Sequence, residues 1–104
     1  TAVMIRHIVC WSLRPAEDED TRQAQLAEIR SRLTAMVGVA DGLLHMEVCT
    51  EPLPGSNAQL ALIADFTDEA ALAAYQAWPP HVEVAQTLIR PIAETRLCFD
   101  TRLG

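Results

Sequence analysis

Pro79 and Pro80 stand in the middle of residues 72–92, LAAYQAWPPHVEVAQTLIRPI, and forbid one continuous helix there. Upstream, Leu72, Tyr75 and Trp78 recur every third residue, the spacing of one helix face, behind Asp68 and Glu69, which suit a helix start. The spacing predicts a helix over about residues 67–77. Proline lacks an amide hydrogen and disfavours helical backbone in the residue before it, so residues 78–80 end that helix. Proline is well tolerated at the first position of a new helix, which is expected to open at Pro80. His81 then falls in a first turn, where unpaired amides and the positive end of the helix dipole disfavour another positive charge. The expected form is neutral imidazole, which can accept a proton. His81, Ala85, Leu88 and Ile92 follow at helical steps, one apolar stripe that turns His81 inward. A phenol and an imidazole are thus aimed from one helix-break-helix corner. Plain packing fits the same spacing, because buried tyrosines and hydrogen-bonded core histidines are common, and the corner alone leaves both readings open.

The rest of the chain supplies strands and one further helix. Residues 4–13, MIRHIVCWSL, are rich in β-branched and aromatic side chains and stop before Arg14-Pro15, which predicts a strand. Its alternation puts Ile5, His7, Val9, Trp11 and Leu13 on one face and Met4, Arg6, Ile8, Cys10 and Ser12 on the other. An acidic run, residues 17–20, suits a helix N-terminus, and Leu26, Ile29, Leu33 and Met36 then mark one apolar face up to Gly38. Residues 43–49 read as a strand with Leu44, Met46 and Val48 opposite Leu43, His45, Glu47 and Cys49. The loop-like residues 51–57 separate it from a third strand over 59–66, and residues 94–101 supply a fourth. Residues 1–3 precede a methionine and receive no role.

The order strand, helix, strand, strand, helix, strand predicts an α+β, ferredoxin-like domain over residues 1–104, its four-stranded antiparallel sheet carrying helices on one face. The first and third strands are apolar on both sides, so the uncovered face would expose a sizeable apolar patch, and a two-fold homodimer packed sheet on sheet would hide it.

Eight arginines, no lysine and fourteen acidic residues give a net charge of -6 with no basic stripe, which argues against nucleic acid as a partner. No apolar run is long enough to span a bilayer and no secretion signal is visible, so a cytoplasmic protein is expected. Cys10, Cys49 and Cys98 lack paired spacing and lie in apolar runs, which predicts buried free thiols. His7, His45 and His81 have no recognised ligand spacing, so neither metal nor cofactor is expected.

The opening MIRHIVCWSL, the segment EALAAYQAWPPHVEVAQTLIRPI and the closing RLCFD resemble the stress-responsive dimeric α+β barrel (Dabb) family, in the same order and over nearly the whole chain. The resemblance implies a ferredoxin-like protomer that dimerises into a barrel. Many members are small stress-associated proteins, while one plant member closes a linear polyketide thioester by an aldol reaction. That enzyme's first-strand histidine, helix tyrosine and post-proline histidine fall on His7, Tyr75 and His81; a further histidine corresponds to about Leu60, and the histidine many members carry before the proline is Trp78. The resemblance therefore implies His7, Tyr75 and His81 as catalytic residues, and the substrate pocket around them is expected to be formed by Ile5, Val9, Leu72, Trp78 and Leu88. Two functions follow: a cofactor-free cyclase or isomerase acting on a polyketide-like or aromatic β-keto substrate, or a non-catalytic barrel holding an apolar ligand. A cofactor-free monooxygenase sharing the dimeric barrel is a third, favoured by no residue set.

Overall fold

In the computed structural model, which describes residues 3–104, the double proline divides the second half of the chain as its chemistry demands. The role of residues 1–2 lies outside what is described. Helix α2 (Glu69–Ala77) is capped by Asp68, whose side chain accepts from the Ala71 amide at 2.8 Å, which leaves Thr67 in the preceding turn. Trp78 is extended, with φ -70° and ψ 126°, and it both ends α2 and precedes α3 (Pro79–Val84). Both prolines occupy the first turn of α3, so the second helix opens one residue earlier than expected.

The remaining elements are β1 (Ile5–Leu13), α1 (Glu19–Thr34), β2 (Leu43–Cys49), β3 (Leu60–Phe66) and β4 (Ala93–Arg102). They form a four-stranded sheet in the order β2-β3-β1-β4 with every pairing antiparallel, the ferredoxin-like arrangement. Helix α1 begins with Asp18 as its cap, accepting from the Thr21 amide at 3.0 Å, and buries Leu26, Ile29 and Leu33 against the sheet. Met36 joins the same core from the turn that follows. Gly42 has φ +79°, and a Cβ there would come within 2.5 Å of the Ala71 Cβ, so only glycine fits this approach between the turn and α2.

Two sequence expectations shift for identifiable reasons. In β2 the register slips between Leu43 and His45: Leu43 faces Phe66 while His45 faces Asp65. Leu44 is the extra residue of a bulge, so Leu43, Met46 and Val48 are buried and Leu44 is exposed, against the simple alternation that grouped Leu44 with Met46 and Val48. After α3 the chain does not continue as an α-helix. Residues Ala85–Ile89 form a π-helical turn, with the Arg90 amide donating to the Ala85 carbonyl at 2.9 Å. The wider turn rotates the apolar face, and the buried set becomes Val84, Ile89 and Ile92, with His81, Ala85 and Leu88 only partly covered.

The sheet has one covered and one open face. Ile5, His7, Val9, Trp11 and Leu13 are all buried beneath the helices, as the β1 alternation requires. On the other face the cross-strand rows Ile63–Ile8–Phe99 and Ala61–Cys10–Leu97 lie side by side, and Leu97 and Phe99 are 72% and 61% exposed. Arg6 flanks this patch and donates to both Asp65 oxygens, at 2.8 and 3.0 Å, which holds the Asp65 carboxyl below the usual range. His45 and Glu47 lie 3.4 Å apart on exposed positions of β2, remote from the covered face. The three cysteines are free, but the expectation that they are buried fails: Cys49 and Cys98 are exposed and Cys10 is partly covered. Cys10 and Cys49 lie in register with Ala61 on the open face, and Cys98 sits on edge strand β4, both of whose faces are exposed.

Candidate active site

His7 lies at the centre of the covered face. Its β3 neighbour in register is Ala64, whose small side chain leaves room for the imidazole, and its β4 neighbour is Asp100. The ring is 2% exposed, and its Nδ1 meets Asp100 Oδ1 at 2.5 Å, so an edge-strand carboxylate fixes the orientation of a buried imidazole. From His7 a line of rings runs toward the proline corner. His7 meets Phe66 edge-on at a centroid separation of 6.4 Å, Phe66 meets Tyr75 at 5.1 Å, and Tyr75 meets His81 at 4.3 Å with 42° between the planes.

The two polar groups at the far end of this line have no protein partner. Both the Tyr75 hydroxyl and His81 Nδ1 are buried without a hydrogen bond to another protein group. A buried polar atom without a partner is uncommon and destabilising, and here two lie on adjacent rings. Burial pushes the Tyr75 phenol well above its ordinary pKa and keeps it a neutral donor. Burial also lowers the His81 pKa, with smaller contributions in the same direction from His7 and Arg96; the Gln76 backbone carbonyl works against them. His81 is therefore a neutral imidazole at neutral pH, chiefly through desolvation rather than the dipole of the short α3.

A cavity of about 400 Å³ opens beside His81. It is lined by His7, Val9, Trp11 and Leu62 of the sheet, Leu33 of α1, and His81, Ala85 and Ile89 of the corner, with Arg90, Glu94 and Arg96 completing the rim. The π-turn thus contributes directly to the wall, a recurrent use of this irregular helix. The cavity exists because the helices cover β1 and leave β4 open.

The sequence-derived set divides on this geometry. His7, Val9 and His81 line the cavity together. Tyr75 is packed behind His81, between it and Phe66, and is absent from the wall. Ile5 and Leu72 border a separate depression with Asp100 and Arg102. Trp78 and Leu88 pack against the edge of the core. The residues that sequence reasoning missed are Trp11, Ile89 and, above all, the polar positions of β4. Leu97 and Phe99 alternate with Arg96, Cys98 and Asp100, and since the apolar pair belongs to the open face, the polar trio had to face the same side as His7. Cys98 Sγ lies 3.8 Å from His7 Nδ1 and 3.5 Å from Asp100 Oδ1. Partial burial, then the facing Asp100 carboxylate, raises the Cys98 thiol pKa.

Comparison with known proteins agrees with this architecture. The sequence profile described as the Stress responsive A/B Barrel Domain matches residues 5–103. A dimeric protein of unknown function with a ferredoxin-like fold from Bacteroides fragilis superposes with a TM-score of 0.86 at 23% identity, over 96% of each chain. A hydroxynitrile lyase from Passiflora edulis gives a TM-score of 0.78 at 16% identity, covering 100% of this chain and 96% of that one. SnoaB, a cofactor-independent oxygenase from Streptomyces nogalater, gives 0.72 at 18% identity, covering 96% and 92%. No match was found among curated protein sequences. Among the described residues, no helix is long and apolar enough to cross a membrane.

Proposed function

Because the chain belongs to the stress-responsive A/B barrel family, we propose that it works as a homodimer and uses the cavity at the proline corner for cofactor-free acid/base chemistry on a small polyketide-like or aromatic β-keto substrate. The observation that carries this reading is the His81 ring, kept neutral by burial, on the cavity wall. An aldol closure requires a base to remove the proton beside a carbonyl and a donor for the oxyanion that develops, and both act more strongly in a largely apolar site. His81 takes the carbon-bound proton. The carbanion attacks a second carbonyl of the same chain, and the resulting alkoxide recovers a proton from the imidazolium. Tyr75, behind His81, is a positioning residue whose hydroxyl, unpartnered at rest, accepts a hydrogen bond from the imidazolium that forms when His81 takes the proton; His7, fixed by Asp100, orients the substrate carbonyl from the cavity lining. The same fold carries a hydroxynitrile lyase and a cofactor-independent oxygenase, so it is compatible with small-molecule catalysis.

The dimer closes the open sheet face over Ile8, Ile63, Leu97 and Phe99, and the protein acts in the cytoplasm. The alternative, a barrel that holds an apolar ligand without turning it over, is favoured by one observation: Tyr75 does not reach the wall. Turnover of a panel of linear poly-β-ketone thioesters by wild type, His81→Ala and Tyr75→Phe separates the two. Cyclisation lost in His81→Ala and diminished in Tyr75→Phe supports the enzyme. Ligand binding with equal background rates in all three proteins leaves only the binding barrel.

A further inference from the structure

His7 Nδ1, Cys98 Sγ and Asp100 Oδ1 face one another across two adjacent strands, all within 4.8 Å. The set arises from register: His7 and Asp100 are cross-strand partners, and Cys98, two residues before Asp100, projects to the same side. In a nucleophilic relay the thiol and the carboxylate would address opposite nitrogens of the imidazole. Here both approach Nδ1, the carboxylate at 2.5 Å and the thiol at 3.8 Å, while the thiol and carboxylate are 3.5 Å apart. Three donors converging on one point suit a shared cation instead.

We propose that these three side chains bind a divalent transition metal of the zinc type through one nitrogen, one thiolate and one carboxylate oxygen. Zinc takes such mixed donors in tetrahedral geometry, and its usual bond lengths place sulfur about 3.6 Å from nitrogen or oxygen, and nitrogen about 3.4 Å from oxygen. The two sulfur separations already match. Only the His7–Asp100 separation has to open, by roughly 0.9 Å from its hydrogen-bonded value. The Asp100 side chain is 39% exposed on an edge strand and free to make that adjustment, whereas buried His7 supplies the fixed ligand. A three-ligand set leaves the fourth position to water or to a molecule in the adjoining cavity, the pattern of an open zinc site. The inference rests on these three donors and not on the cyclase reading: a metal on His7 Nδ1 would take over from the Asp100 hydrogen bond in holding the ring, and His81, the base of that reading, lies outside the set.

The test is titration of metal-free protein with Co2+, which reports thiolate ligation by its ligand-to-metal charge-transfer absorption. Wild type is expected to develop this band, to saturate at one metal per chain and to lose the band when Zn2+ is added. Cys98→Ser should abolish the band, and Asp100→Asn should weaken binding by more than about tenfold, since loss even of a supporting partner has effects on that scale. Cys10→Ser and Cys49→Ser should leave it intact. Absence of the band in wild type, its survival in Cys98→Ser, or its dependence on Cys10 or Cys49 would overturn the proposal. No turnover is measured, so the result is independent of whether the cyclase reading holds.

Discussion

Replacing Tyr75 with phenylalanine should make the protein more stable and less active. The hydroxyl is buried, on a residue 2% exposed, and has no protein hydrogen-bond partner. Removing such a group from water without a compensating bond costs roughly 1–3 kcal/mol in proteins. The ring itself packs between Phe66 and His81 and is retained in the variant, so the packing term is unchanged. The expected gain is about 1 kcal/mol, at the lower end of that range, which raises the melting temperature by roughly 4–8 °C for a domain of this size. Thermal unfolding followed by circular dichroism, with both proteins at one fixed concentration because the proposed dimer would make the transition concentration-dependent, measures this directly. Tyr75→Ala serves as the contrast: it also removes the ring and should cost about 3–5 kcal/mol through the cavity left behind. A Tyr75→Phe variant less stable than wild type would refute the reasoning, because the hydroxyl would then have a partner in the folded protein. Greater stability combined with slower turnover is the signature of a group kept for function at the expense of the fold.

Three further outcomes are expected. Gly42→Ala forces a side chain into a left-handed backbone and against the Ala71 Cβ, and should destabilise by about 1–3 kcal/mol in urea unfolding; a neutral effect would contradict the close approach of the turn to α2. Phe99→Glu places a charge in the open apolar patch and should convert a sedimenting dimer into a monomer at micromolar concentration, while an unchanged dimer would move the interface elsewhere. The His81 pKa is lowered in the folded state from 6.5, so the unfolded chain binds the proton more readily; the stability this residue contributes is complete above about pH 6.5 and is lost as pH falls from there through the depressed value. His81→Gln should remove that decline from urea midpoints measured between roughly pH 7 and pH 5, and a wild type flat over the same window would speak against a desolvated imidazole.

Much of the architecture was legible because each element carries its own local signature. The double proline set the helix break to within one residue, and the β1 alternation placed His7 under the helices and Ile8 on the open face. What escaped was structure created by relations between elements. The bulge that exchanges Leu44 for Leu43 depends on how β2 registers against β3, and the π-turn after Val84 on how the chain packs between α1 and the sheet; neither alters composition or period in a recognisable way. The same limit applies to the site. His7 and His81 were identifiable as separate positions, but Asp100 and Cys98 acquire significance only once β4 is laid beside β1 in register. The thiols illustrate the error in assuming that an apolar run is buried, since an edge strand can be apolar on its open side and exposed on both.

The central claim is that His81 presents an uncharged ring nitrogen to the cavity. Nitrogen-15 NMR of the histidine side chains across a pH titration, repeated after addition of a linear β-ketone thioester, measures it. The account predicts that the His81 ring stays neutral until well below the ordinary histidine range and that its resonances move on ligand addition, while those of His45, on the far side of the sheet, do not. Protonation of His81 at or above that range, or a ring indifferent to the ligand, would contradict it.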